Sequence, residues 1–239
     1  MFGSLPPVVK NLLIVNGLFF LATLLAFNYG ISLADFLGLH HWSSELFRPH
    51  QLVTYMFMHG GIGHIFSNMF GLFMFGRVLE QVWGPKRFLI FYMVTGIGAG
   101  LIQLVVSEIR IQSLVSEINP ELYEVVINEG LSIRQSGRNF IDPIAAELNN
   151  LINISTVGAS GSIFGILLGF GMLFPNVEIM LLFLPIPIKA KYFVAFYGIF
   201  ELYQGFANNP NDNVAHFAHL GGMLFAFFLI RSWKNNSNS

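Results

Sequence analysis

The 239-residue chain contains no cysteine, and only 10% of its residues are charged. The first absence excludes disulfides, a thiol nucleophile and any cysteine-liganded metal centre. The second excludes an ordinary water-soluble domain, in which about a quarter of residues carry charge. A basic block is also missing: 12 Lys and Arg stand against 13 Asp and Glu, a net charge of −1, so nucleic acid is not an expected partner. What is present is apolar, with 54% hydrophobic residues, 26 Phe and 24 Gly. That balance belongs in lipid. At about 20 residues per span, the length allows roughly six or seven membrane helices, and a single bundle domain over residues 1–239 is expected.

The first apolar run, Asn11 to Tyr29, follows a single Lys10 and has no small-residue cleavage site. It reads as a retained span rather than a signal peptide. A polar, aromatic-rich stretch at 34–51 comes next, then a second run from about Leu52 to Leu79, closed by Glu80 and the turn WGPKR at 83–87. Further spans are expected at Phe88 to Val106, at 158–174, at Tyr192 to Phe206 and at Val214 to Ile230. Residues 176–191 hold two prolines and two lysines, which suits a connection at the membrane interface.

Residues 107–150 break the pattern, since they hold ten of the chain's 25 charged residues. The spacing marks an extramembrane insertion between spans three and four. Asn119-Pro120 and Asp142-Pro143 are helix-start signals. Leu122, Val125 and Val126, and then Ile144, Leu148, Leu151 and Ile152, recur at helical spacing. Two amphipathic helices are expected, lying on the bilayer surface or covering the bundle.

Lys and Arg placement orients the chain. With the N-terminus inside, Lys10, Arg77, Lys86, Arg87, Lys189, Lys191, Arg231 and Lys234 are cytoplasmic, and Arg48, Arg110, Arg134 and Arg138 are outside. Eight against four favours both termini in. A multi-pass protein of a bacterial inner membrane is expected, because no transit peptide precedes the first span.

Polar side chains within spans are costly and mark functional candidates. Spans two, four and six run in the same direction, so depth is counted from their cytoplasmic ends. Asn68 and His64 lie 12 and 16 residues above Glu80, Ser160 lies 15 above Pro175, and His219 lies 12 above Arg231. All four fall roughly 18 to 24 Å above the inner surface. Ser160, in GASG at the start of an apolar helix, has free N–H groups and the helix dipole beside it to favour an oxyanion. His219 suits a general base for its hydroxyl and then an acid for a leaving amine. His64 and Asn68, one turn apart, are candidate oxyanion donors. Gly158, flanking the serine, is a third candidate for oxyanion stabilisation and would let a substrate backbone approach closely. Gly222 and Ala226, and Gly161, Gly165 and Gly169, form small-residue faces expected to bring the Ser160 and His219 helices together. No Asp or Glu lies at this depth on these three spans, so a Ser-His dyad is expected rather than a triad. Phe164, one turn below Ser160, is placed to stack on the imidazole and orient it in place of a carboxylate.

The motifs HGGIGHIFSNMFGLFMFGRVLE (59–80), GASGSIFG (158–165) and AHFAHLGGMLFA (215–226) together resemble those of the rhomboid family of intramembrane serine proteases. The resemblance implies an all-α, six-transmembrane-helix bundle, here with the helical insertion, that cleaves transmembrane or membrane-proximal segments of other membrane proteins. It implies Ser160 as nucleophile, His219 as general base, His64 and Asn68 on the oxyanion side, and Glu80 as a structural acid ending the second helix. Substrates would be membrane proteins with helix-destabilised transmembrane segments. No cofactor or metal is implied. The family often has Trp followed by Arg or Gln where His50 and Gln51 stand here, so the motif leaves open what anchors the first outer loop.

Blander readings apply to other residues. His59 and His216 read as hydrogen-bonded structural histidines, the glycines of 95–100 as helix contacts, and Arg77 and Glu80 as a pair or a snorkelling couple at the inner surface. Two other function classes compete. One is a membrane metal or transport protein liganded by His59, His64, His216 and His219, although neither HExxH nor cysteine is present. The other is a catalytically inactive rhomboid-like protein that binds membrane clients.

Overall fold

Apolar runs with few charges become helices in lipid because only a helix or a closed barrel satisfies every backbone polar group internally. In a computed structural model, residues 5–181, 184–207 and 214–236 are described, and they are mostly helical. Among the described residues, three helical stretches are long and apolar enough to cross a membrane: α1 (Pro7–Asn28), the continuous Ile62–Trp83 stretch and α6 (Pro85–Val115). Their outward faces carry large exposed apolar side chains, among them Leu18, Leu21, Leu25 and Phe27 on α1, as a lipid-facing surface requires.

Two short helices, α2 (Leu33–Leu37) and α3 (Gln51–Thr54), lie in the connection that follows α1. A 3₁₀ turn at Tyr55–Phe57 follows, and the chain is then non-helical through Met58 to Gly61. The expected second run is therefore interrupted at the HGG of residues 59–61, and its membrane helix starts at Ile62. That helix comprises α4 (Ile62–Gly71), a π-helical turn (Leu72–Gly76) and α5 (Arg77–Trp83). At its base, buried Glu80 accepts hydrogen bonds from the Val8 and Val9 N–H groups at 2.9 and 2.7 Å. These are orphan donors in the first turn of α1, where a negative charge also meets the positive end of the helix dipole. Glu80 thus caps α1 and does not pair with Arg77, whose guanidinium lies over the Phe73 ring.

Helix α6 has 31 residues, about 46 Å at 1.5 Å per residue, and runs nine residues beyond the expected span end. Its projecting end packs with α7 (Pro120–Gln135) and α8 (Pro143–Asn153) in a separate small core of Ile111, Ile118, Val126, Ala145, Leu148 and Ile152. The caps form as the sequence signals predict: Asn119 accepts from the Glu121 N–H at 2.8 Å, and Asp142 from the Ala145 N–H at 2.9 Å. The apolar faces of α7 and α8 meet each other and α6, leaving Val125 exposed.

Helix α9 (Ser160–Leu173) is the best buried, with Gly161, Ser162, Ile163, Gly165, Ile166, Leu167, Gly169, Phe170 and Gly171 inside. A β-hairpin then departs from the all-α expectation: β1 (Glu178–Leu181) pairs antiparallel with β2 (Leu184–Lys189), with Glu178 opposite Lys189 and Ile179 opposite Ile188. The prolines fall in β2 of a two-stranded sheet, where every strand is an edge and a missing N–H costs little. Helices α10 (Ala190–Ala207) and α11 (His216–Asn236) complete the described chain.

Candidate active site

Fourteen residues make α9 about 21 Å long, against a hydrocarbon core of about 30 Å. Ser160 is the first residue of that short apolar helix. The segment that leads into it is held by the chain before α4. Leu39 and Thr156 exchange backbone hydrogen bonds, and the Gly158 N–H donates to the Tyr55 carbonyl at 2.9 Å. Gly158 has φ of 131°, a conformation that L side chains rarely adopt, and it turns the chain into α9. No side chain caps that helix, so its first N–H groups face the space beside Ser160.

Close backbone packing brings the partner helix in. A side chain at Gly222 would run into the Gly161 backbone, and one at Gly161 would meet Ala99 of α6. With both positions empty, α11 lies against α9 three residues after His219. Gly165 and Gly169 do something other than expected. They receive Thr95 of α6 and the Leu79, Phe91 and Trp83 side chains, whereas Gly161 and Gly222 meet each other across α9 and α11.

Ser160 Oγ lies 2.8 Å from His219 Nε2. The Phe164 ring stacks on the His219 imidazole with centroids 4.1 Å apart and planes 8° from parallel. On the far side of the ring, His219 Nδ1 lies 2.8 Å from Oε2 of Glu201, a buried carboxylate on α10. The same oxygen lies 2.7 Å from His216 Nδ1. The expectation that no carboxylate accompanies the pair is therefore corrected. Glu201 comes from a helix running opposite to the three whose depths were compared. Its signal was in the sequence: 11 residues from Ala190, about 16 Å along the helix, it is an ionisable residue inside an apolar segment.

His64 Nε2 and Ser160 Oγ both border the position a Cβ at Gly158 would occupy, at 2.7 and 3.5 Å. Buried Asn68 donates from Nδ2 to the His64 carbonyl at 3.0 Å. All of these residues, with Ser67, Phe164 and Tyr197, line one cavity of about 1870 Å³ that also reaches Pro143, Glu147 and Asn150 on α8. The 34–51 loop is held by Gln51, whose Oε1 accepts from the His40 and Arg48 N–H groups at 3.3 and 3.2 Å and whose Nε2 donates to the Leu46 carbonyl at 2.8 Å. His50 lies 2.9 Å from the Phe36 carbonyl. Beside that loop, burial lowers the pKa of His41 from its usual range, against the opposing charge of Glu108.

Other expectations fare differently. His59 is buried edge-on to His64, and by geometry its ring nitrogens find no hydrogen-bond partner among the described residues. The four histidines suggested as metal ligands do not converge. Among the described residues, the metal-ligating types that gather are Glu201, His216 and His219. Their 2.7 and 2.8 Å N···O separations are hydrogen-bond distances, whereas ligands of a tetrahedral zinc site stand roughly 3.4 Å apart.

The family model for the Rhomboid domain matches residues 45–233. The chain belongs to the rhomboid family. Among similar proteins, RHOMBOID-like protein 12, mitochondrial, of Arabidopsis thaliana is 28% identical over 181 residues, 75% of this chain and 45% of that protein. Rhomboid protease GluP of Bacillus subtilis is 29% identical over 124 residues, 50% of this rhomboid and 24% of GluP. Rhomboid-like protein 11, chloroplastic, of Arabidopsis thaliana is 33% identical over 97 residues, 38% and 34% of the two chains. The matched regions cover less than half the length of each relative.

Proposed function

We propose that this rhomboid is an intramembrane serine endopeptidase that cleaves membrane proteins within or beside helix-destabilised transmembrane segments. The observation that carries the reading is the 2.8 Å approach of Ser160 Oγ to His219 Nε2 at the wall of a cavity below the membrane surface. Ser160 attacks the scissile carbonyl carbon as its proton passes to His219 Nε2. The carbonyl oxygen becomes an oxyanion in the space left by Gly158, beside His64, Asn68 and the first N–H groups of α9. Collapse of the intermediate breaks the C–N bond, and the leaving amine takes the proton from His219. A water molecule then repeats the sequence on the acyl-enzyme and regenerates Ser160. Phe164 holds the plane of the imidazole throughout.

Six spans belong to this proposal, namely α1, the Ile62–Trp83 stretch, α6, α9, α10 and α11, with both termini on the cytoplasmic side of a bacterial inner membrane. The cavity would open outward beneath the 34–51 loop and the insertion. Because the chain has no cysteine, a single E129C substitution provides a clean test of orientation. Labelling of intact cells by an impermeant maleimide is expected, and protection until lysis would reverse the orientation.

The function is tested by incubating the purified full chain with a transmembrane substrate carrying helix-breaking residues. The wild type is expected to cleave it and to be labelled by a fluorophosphonate probe, and S160A to do neither. Turnover retained in S160A would remove the assignment. A folded wild type that neither cleaves nor takes the probe would favour the inactive, client-binding reading.

A further inference from the structure

We infer that Glu201 is a positioning residue for the reaction, holding His219 in the tautomer that leaves Nε2 free to accept the Ser160 proton, and that His216 keeps the Glu201 carboxylate in place. The inference rests on the protease reading and adds to it a side chain that does not touch the reacting atoms. Its observation is the single oxygen Oε2 shared by two imidazole nitrogens, His219 Nδ1 at 2.8 Å and His216 Nδ1 at 2.7 Å.

Proton counting decides what that geometry permits. A neutral imidazole has one N–H and one bare nitrogen. If Oε2 carried a proton, it could donate to only one of the two Nδ1 atoms. If that atom were His219 Nδ1, the ring's own hydrogen would sit on Nε2, facing Ser160, and the base would be lost; if it were His216 Nδ1, His219 Nδ1–H could still donate to Oε2, but the imidazolium formed in the reaction would face a neutral acid. An ionised carboxylate accepts from both Nδ1–H groups at once and leaves both contacts satisfied. In that state His219 Nε2 is bare and faces the serine hydroxyl, which donates to it. When the proton arrives, the imidazolium forms against a carboxylate already in place. Phe164 fixes the ring plane, but stacking cannot choose which nitrogen is protonated. Glu201 makes that choice.

Burial makes the arrangement costly and therefore specific. A carboxylate within an apolar helix is destabilising unless its partners are complete. Here they come from one neighbouring helix, three residues apart on α11. His216 competes for none of the His219 geometry, and its bond fixes the rotamer that Glu201 needs to reach Nδ1. The neighbouring turn of α10 is tied separately, since Arg110 Nη2 donates to the Gly205 carbonyl at 2.7 Å.

The experiment measures kcat and KM of the full chain in detergent on the same transmembrane substrate, with S160A, E201Q and H216A in parallel. Glutamine keeps the shape and an acceptor oxygen but removes the charge and can donate to Nδ1. The expected result for E201Q is a kcat lower by roughly 10²-fold or more with KM changed by less than about twofold, while H216A loses about three- to tenfold. An inactive S160A with less than a tenfold loss of kcat in E201Q would overturn the positioning role and leave the protease standing. An active S160A would remove the protease reading beneath it. A measurement on the unaltered protein guards against a variant that does not fold. Nitrogen-15 histidine spectra are expected to show neutral His219 protonated on Nδ1, and protonation on Nε2 would overturn the inference.

Discussion

Among the described residues two glutamates are buried, each accepts hydrogen bonds from two donors, and the two are put to different uses. Glu80, 2% exposed, takes backbone N–H groups of α1 on its two separate oxygens. Glu201, 5% exposed, takes two imidazoles on one oxygen. Backbone donors cannot change protonation state, so Glu80 holds a helix end and nothing more. Imidazole donors can, so Glu201 sets the chemistry of what it binds. The difference between a structural and a mechanistic carboxylate lies in the donors rather than in its burial.

The same substitution at both sites would break or sharpen that contrast. E201Q is expected to give the largest effect on turnover, with little change in thermal midpoint. A parallel loss of stability and activity would make Glu201 a second structural acid. E80Q is expected to do the reverse, lowering unfolding stability by about 1–3 kcal/mol as one N–H loses its acceptor, with kcat per folded molecule unchanged. A fall in kcat measured by active-site titration would contradict it. F164A removes the stacking on His219 together with a ring contact to Tyr197, and a kcat lower by roughly tenfold or less is expected. Unchanged kcat would show that Glu201 alone orients the ring. The smallest effect is expected at the insertion: N149A opens the amide chain in which Asn149 donates to Asn139 and accepts from Asn153. It should loosen α7 and α8, raising their hydrogen exchange while leaving the exchange of α9 untouched.

Most of the site was legible because depth in a membrane helix can be counted from its end. Ser160 and His219 carry polar atoms at one level of an apolar sequence, and Phe164 lies one turn from Ser160. Glu201 was missed because counting was confined to helices running one way, although its charge marked it. Gly158 illustrates a different limit. Glycine in GASG shows that space is needed there, but that His64 occupies one wall of that space follows only from packing between the Ile62–Trp83 helix and the turn before α9. The strand pair of Glu178–Leu181 and Leu184–Lys189 escaped for a third reason. Its strands carry the prolines and lysines of an interfacial loop, and pairing between two short edges leaves little alternation to read.

The contact between Gly222 and Gly161 bears on how relatives of this chain are sorted into enzymes and non-enzymes. A homologue could keep serine, histidine and glutamate at the three positions and still lack activity if residue 222 carried even a methyl group. That methyl would press on the Gly161 backbone, moving one helix off the other and lengthening the path a proton has to cross. A census of catalytic side chains is thus incomplete without the hydrogen atom that stands in place of a side chain at position 222.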